Sequence, residues 1–431
     1  MGEDSVKETG RRPVVLLAAT CLWSCTPKLA ILLSRLGCDV VGVAPKSHLL
    51  HRTRALSACF TYRARGPVKN LTIIIERTAP DLIIPCDERA VFHLHRLHER
   101  TRDQATKTLI ERSLGVPSAF STVEARHDLL QLAIKNGVAV PDTREIESLA
   151  DLDEWAKTQP LPWVLKADGS WGGEGVRIVS TRAEAERAFR SLTKKIHPIF
   201  ALRQVILRQN LFVLTPWLHG PERRISVQRY VEGRPANCAM AAWNGEVLGG
   251  IAVKVLCSEG ATGPASVISL AGDPQMLEAG AKIIAALGVT GLVGFDFVIE
   301  AATGKAWLLE MNPRATPIAH LQPGPGRDLV APFISKLVGK PVSAATVIGE
   351  TVALYPQALF VRDDHARLEG AYLDVPLEDP LLARLMMRRP PLDRHAVAEF
   401  FELIGLRPLA DLIRGGQRGK AVLIAASRAS I

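Results

Sequence analysis

The sequence predicts an α/β architecture at its start and an α+β architecture after it. Three observations carry that expectation. Short apolar runs alternate with helical stretches through residue 85, paired alternating runs dominate from Trp163, and 431 residues exceed what one ordinary core serves. Two to four structural units are therefore expected. Hydrophobic residues at 47% and charged residues at 23% are the profile of a chain that folds.

Residues 13–19 form a short apolar run, 27–36 have helical periodicity, and 39–44 form a second apolar run after Gly37. Residues 81–85 repeat the buried-strand pattern behind a helical stretch at 68–77. That order, β-α-β and then α-β, implies a parallel sheet with helices on its faces. Ligands of such sheets sit beyond the carboxyl ends of the strands, which here are residues 20–24, 45–48 and 86–89. The first strand-to-helix turn has no Gly-x-Gly-x-x-Gly, which argues against a dinucleotide site.

A linker is expected near residues 115–121, then a helix over 123–135 stopped by Asn136-Gly137. Strands at 163–166 and 176–179 flank a glycine-rich loop, and a helix covers 184–193. Strands resume at 212–215, 225–231, 236–243 and 247–255, followed by a helix over 274–287 and a hairpin over 294–312. The rest, rich in Pro and Arg, reads as an α+β appendage. The expected units are residues 1–115, 116–214, 215–340 and 341–431.

No apolar run reaches the roughly 18 residues that span a bilayer. Residues 1–12 are polar and mixed in charge, unlike a signal or transit peptide, and read as a frayed leader. Seven cysteines without framework spacing suit a reducing cytoplasm, and Cys21 and Cys25 have no second ligand pair for zinc. The net charge is +9 and the pI near 9.3, but the basic residues are scattered and aromatics total 5%. That combination speaks against a nucleic-acid partner and for a chain that holds a polyanionic nucleotide and an acidic substrate.

The hairpin over 294–312 is the most informative stretch. Phe295, Phe297 and Ile299 alternate with Asp296, Val298 and Glu300; Trp307, Leu309 and Met311 alternate with Leu308, Glu310 and Asn312. A turn about Thr303, with Gly304 permitting the reversal, sets Asp296 opposite Glu310 and sends the large apolar residues to the other face. One face then presents Asp296, Glu310 and Asn312, an all-oxygen set suited to Mg²⁺. Arg314 follows at the strand end as a fixed cation for a phosphate or acyl phosphate.

Upstream, Lys166 is followed by a segment containing Gly169, Gly172, Gly173 and Gly175, whose backbone N–H groups can approach a phosphate. It lies between strands and lacks the Gly-Lys-Ser/Thr ending, so it is not a P-loop. Further on, Thr215-Pro-Trp-Leu-His-Gly-Pro-Glu222 is an extended segment that can offer backbone groups to an adenine edge and a carboxylate to a ribose.

In that order, these parts resemble the ATP-grasp superfamily. The Trp-Leu-x-Gly-Pro-Glu hinge and the acidic hairpin are similar to those of D-alanine–D-alanine ligase, and Glu310-Met-Asn-Pro-Arg314 is similar to the Glu-x-Asn-Pro-Arg of carbamoyl phosphate synthetase. The resemblance covers residues 123–321. It implies an ATP-grasp fold behind a Rossmann-like parallel-sheet domain, with ATP and two Mg²⁺ ions (Mn²⁺ as substitute) as cofactors. It implies that Lys166 contacts phosphates with Gly172, Gly173 and Gly175 closing over them, that Trp217 and Leu218 contact adenine, and that Glu222 binds ribose. It assigns Asp296, Glu310 and Asn312 to the metals, Arg314 to the transferred phosphoryl group, and Arg126, eleven residues before Gly137, to the nucleotide. Thr215-Pro216 replaces the carboxylate that often opens the hinge.

The activity so implied is ligation: a carboxylate is phosphorylated and passed to an amine, with substrates drawn from amino acids or small peptides. Substrate choice is expected from Thr20, Ser24 and Glu88 at the sheet edge and from Lys254 in residues 254–265, with Cys257 packed rather than nucleophilic. Lys254 would pair with a carboxylate and Glu88 with an amine. A carboxylating or carbamoylating enzyme and a silent nucleotide-binding protein stay open as rivals. The expected setting is cytoplasmic, with small-molecule partners, no membrane and a homodimer left open.

Overall fold

The computed structural model describes residues 11–167, 175–193, 224–258, 263–343, 349–360 and 368–388. The expected strand at 212–215 lies outside them. Among the described residues no helix is long and apolar enough to cross a membrane.

Strands β1 (Val14–Ala18), β2 (Asp39–Ala44), β3 (Ala58–Thr61) and β4 (Leu82–Pro85) form a wholly parallel sheet in the order β3-β2-β1-β4. β1 and β4 are buried throughout, as their unbroken apolar runs require. Helices α1 (Thr26–Arg35), α2 (Pro67–Thr78), α3 (Glu88–Arg100) and α4 (Gln104–Leu114) complete this unit. Asp87 caps α3 by accepting from Ala90 N, and its carboxylate also takes the Thr20 N–H and hydroxyl at 2.5 and 2.7 Å. The loops after β1 and β4 are thereby tied together at the carboxyl edge.

The expected linker is ordered. Gly115, at φ +97°, makes an isolated bridge to Val289. The single helix expected over 123–135 is two helices, α5 (Phe120–Glu124) and α6 (Arg126–Lys135), separated by Ala125 at φ −99° and ψ 103°. Arg126 is thus the first residue of its helix.

A smaller antiparallel sheet follows, ordered β5 (Thr143–Ile146), β8 (Ile225–Arg229), β6 (Trp163–Ala167) and β7 (Val176–Val179). Helices α7 (Leu149–Ala156) and α8 (Arg182–Thr193) cover it around Trp163, Leu165, Phe189 and Val227.

The largest sheet runs β13 (Ala306–Asn312), β12 (Gly291–Glu300), β9 (Gly233–Trp243), β10 (Glu246–Ser258), β11 (Ala265–Ser269), β14 (Thr351–Leu354) and β15 (Tyr372–Asp374). It crosses the expected boundary at residue 341. Helices α9 (Pro274–Leu287), α10 (Val330–Val338) and α11 (Pro380–Met386) accompany it. Its two faces serve different cores. Met240, Phe295, Phe297, Leu308 and Met311 pack with residues of α6 and α9. Ala239, Val253 and Leu292 on the other face share one cluster with Leu17, Leu29 and Leu33 of the parallel-sheet unit and with Phe333 of α10.

The hairpin departs from simple alternation at one point. Asp296 pairs with Glu310, but Phe297 pairs with Leu308, so the register shifts by one residue at Leu309. This β-bulge turns Leu308 into the core beside Phe297, where alternation had set it on the acidic face. It turns Trp307 outward, under the cations of Arg229 and Lys305 at 4.8 and 4.2 Å from its ring centre.

Candidate functional site

β12 and β13 place Asp296 opposite Glu310 and Gly294 opposite Asn312, and β9 adds Asn237 beside Asp296. The Asn237 amide donates to Asp296 Oδ1 at 2.6 Å, and the Asn312 amide donates to Oδ2 at 3.2 Å. The Arg126 guanidinium reaches Glu310 Oε2 at 2.7 Å from the first turn of α6. The helix break at Ala125 is what starts α6 at this residue. Lys166 on β6, only 6% exposed, acts on the same carboxylate.

These charges separate two otherwise similar acids. Burial and the neighbouring Glu310 push Asp296 up, while its amide partners oppose the rise. Burial also opposes the charge of Glu310, but Arg126 and Lys166 outweigh it and hold the carboxyl below its ordinary range. The pair therefore takes its first proton on Asp296.

Among the described residues no three His, Cys, Asp or Glu side chains gather into a metal-binding group. Two acids with flanking amides instead fit Mg²⁺, which binds through one or two carboxylates and the phosphates of its substrate. Two cations directed at Glu310 match a polyphosphate's charge in the same place.

Arg314 bridges this set to the carboxyl edge of the parallel sheet. Its Nε donates to Glu88 Oε1 at 2.7 Å, its Nη2 to Asn312 Oδ1 at 3.3 Å, and its Nη1 to the Ala315 carbonyl at 3.2 Å. The guanidinium lies 5.2 Å from the centre of the Trp23 ring. Burial opposes its charge, but Glu88 outweighs burial and keeps the cation more strongly protonated than usual. Burial pushes Glu88 up in spite of Arg314.

The fold thus brings together Arg126, Lys166, Asp296, Glu310, Asn312, Arg314 and Glu88. Gly175 is buried, and its carbonyl accepts from Ala167 N at 3.0 Å. Gly172, Gly173, Trp217, Leu218 and Glu222 lie outside the described residues. Lys254 is not brought to the acids. It pairs with Ala236, which pairs with Phe297, so its side chain shares the face of Phe297 and points away from that of Asp296. The Thr20 hydroxyl is committed to Asp87, and Cys257 is half-buried. Burial raises the Cys21 and Cys25 thiols, which leaves them poor ligands and nucleophiles.

Sequence reasoning missed Asn237 and Trp23. An amide inside the Ala- and Met-rich run 236–242 was the available signal for the first. Nothing in the sequence pointed to the second, whose position follows from the tertiary approach of Arg314.

Residues 129–317 match the family model of the ATP-grasp domain. No curated protein gives a significant sequence match. The solved structures that share the fold include these three. The biotin carboxylase domain of Hydrogenobacter thermophilus 2-oxoglutarate carboxylase, a dimer in complex with MgADP, ADP and bicarbonate, is 16% identical with a TM-score of 0.55, over 77% of this chain and 71% of that one. Biotin carboxylase from Campylobacter jejuni is 17% identical with a TM-score of 0.56, over 78% and 72%. N5-carboxyaminoimidazole synthetase from Staphylococcus aureus with ADP is 12% identical with a TM-score of 0.55, over 84% and 87%.

Proposed function

We propose that this chain, whose residues 129–317 form an ATP-grasp domain, is an ATP-dependent ligase that phosphorylates a carboxylate and joins it to an amine. The observation that carries the reading is the Arg314 guanidinium, bonded to both Glu88 and Asn312 and so standing between the acidic hairpin and the sheet edge.

A carboxylate does not acylate an amine at neutral pH because oxide is a poor leaving group. Attack of its oxygen on the γ-phosphorus of ATP expels ADP and leaves an acyl phosphate; attack of the amine on that carbonyl expels phosphate. Both steps need positioning and charge neutralisation more than covalent help. Lys166 and Arg126 hold phosphate oxygens, and Arg314 holds the carboxylate undergoing phosphorylation. Glu88 holds the amine from the opposite side. Asp296, Glu310 and Asn312 would hold Mg²⁺, which would supply further neutralisation of the phosphates. An amino acid or small peptide carries a carboxylate and an amine that complement a cation and an anion held side by side, as Arg314 and Glu88 are. The setting proposed is the cytoplasm, with small-molecule partners.

Bicarbonate as the acid is a second reading, supported by the carboxylase names of the structural neighbours. ADP release assayed over pooled amino acids and small acids, with bicarbonate as a separate arm, tests both. Stimulation by an acid together with an amine supports ligation, and stimulation by bicarbonate alone supports carboxylation. Nucleotide binding without turnover in any arm overturns both in favour of a silent binder.

A further inference from the structure

Thr316, two residues beyond Arg314, has a buried hydroxyl with no hydrogen-bond partner among the described residues. Its location follows from a glycine. Gly294 lies two residues before Asp296 on β12 and pairs with Asn312, so a side chain at 294 would stand on the acid-bearing face beside that amide. A Cβ built there falls closer than 3.0 Å to Thr316 Cγ2 and 3.4 Å from its Oγ1. The space a side chain would take is filled by Thr316. Thr316 therefore packs on the acid-bearing face over Gly294, the residue that pairs with Asn312, whose Oδ1 accepts from Arg314.

A buried hydroxyl is ordinarily satisfied. Two other unpartnered buried atoms belong to residues in contact with Arg314: Glu88 Oε2 and Trp23 Nε1. A donor left open two residues along the chain from a buried guanidinium suits an acceptor that also pairs with the cation, and an oxyanion is that acceptor. Methyl contact with Gly294 fixes the rotamer, so the hydroxyl is already in position when the anion arrives.

We propose that Thr316 is a direct ligand of the substrate oxyanion, its hydroxyl donating to the carboxylate or phosphoryl oxygen that Arg314 pairs with, and that Gly294 lacks a side chain to admit it. The inference rests on Arg314 as the anion-holding residue of the reading above, and not on which acid is activated.

The test is calorimetric titration of inorganic phosphate and, separately, acetate into the MgADP-loaded chain, using the parent, Thr316→Val, Thr316→Ser and Gly294→Ala. Thr316→Val keeps the shape and removes the donor. It should weaken binding of at least one anion about tenfold or more, with MgADP affinity and melting temperature unchanged. Thr316→Ser should restore the affinity, and Gly294→Ala, which displaces the side chain, should weaken it in the same direction. A loss confined to phosphate assigns the phosphoryl oxygen, and one confined to acetate the carboxylate. Equal affinity in the parent and Thr316→Val for both anions overturns the proposal, as does a MgADP-loaded parent that binds neither. The ligase reading fails separately, when anions bind but no acid elicits ADP release.

Discussion

Asp374→Asn tests how strongly β15 is held to the parallel-sheet unit. Lys28 on α1 and Asp374 at the end of β15 form an ion pair with side chains 5% and 6% exposed. The ammonium also donates to the Tyr355 carbonyl at 3.1 Å, and His320 Nε2 lies 2.8 Å from Asp374 Oδ1. Burial pushes His320 down, although the facing carboxylate opposes that shift. Asparagine keeps the shape but leaves a buried ammonium facing a neutral amide, which costs about 3–5 kcal/mol. With so little exposure, solvent screening gives no relief. Against a whole-domain stability of about 5–15 kcal/mol this is a large fraction. Urea unfolding should show it as a drop in midpoint, and Lys28→Met combined with Asp374→Leu should recover most of the loss. Burial opposes the Asp374 charge, but His320 and Lys28 outweigh it and hold the folded-state pKa below the ordinary range. The pair's contribution is therefore full above the ordinary Asp range and is lost as pH falls through the depressed value. The gap between parent and variant should close in acid. A midpoint shift worth less than about 1 kcal/mol at neutral pH, or a double variant no better than the single one, would refute the reasoning.

Three further outcomes are expected. Glu310→Gln keeps an acceptor for Arg126 but removes the charge, so ADP release should fall roughly 10²-fold or more; unchanged turnover would sink the metal assignment. Gly115→Ala puts a Cβ onto the Gly288 carbonyl and 2.8 Å from Thr290 N at a φ of +97°, so a loss of about 2 kcal/mol or more is expected in thermal melts. Asp296 carries the pair's first proton, with a pKa pushed up to about 7, so Mg²⁺ binding should release a proton and weaken as pH falls through that value. A calorimetric Mg²⁺ enthalpy independent of buffer ionisation would overturn this last expectation.

The facing of Asp296 and Glu310 was legible because strict alternation on both strands and a central turn agree on one register. The bulge was not, because Leu308 and Leu309 are equally apolar and nothing distinguishes the inserted residue. Arg126 was placed on the correct helix, but Ala125 carries no breaking signal, so its position at a helix start appeared only in three dimensions. Lys254 shows the limit of single-strand reasoning. Alternation sorts residues into two faces without saying which neighbour shares each face, and that depends on pairing with β9. The Lys28–Asp374 pair spans 346 positions, and no local pattern announces a contact at that range.

The common core of the parallel and seven-stranded sheets bears on how such a chain can change its chemistry. Transplanting residues 11–114 from a relative would also replace half of a close-packed interior, and the two halves would meet as strangers. Change at the carboxyl rim, where Trp23 and Glu88 stand outside the strands, leaves that shared interior in place. A lineage built this way diversifies by editing its rims while its body stays joined.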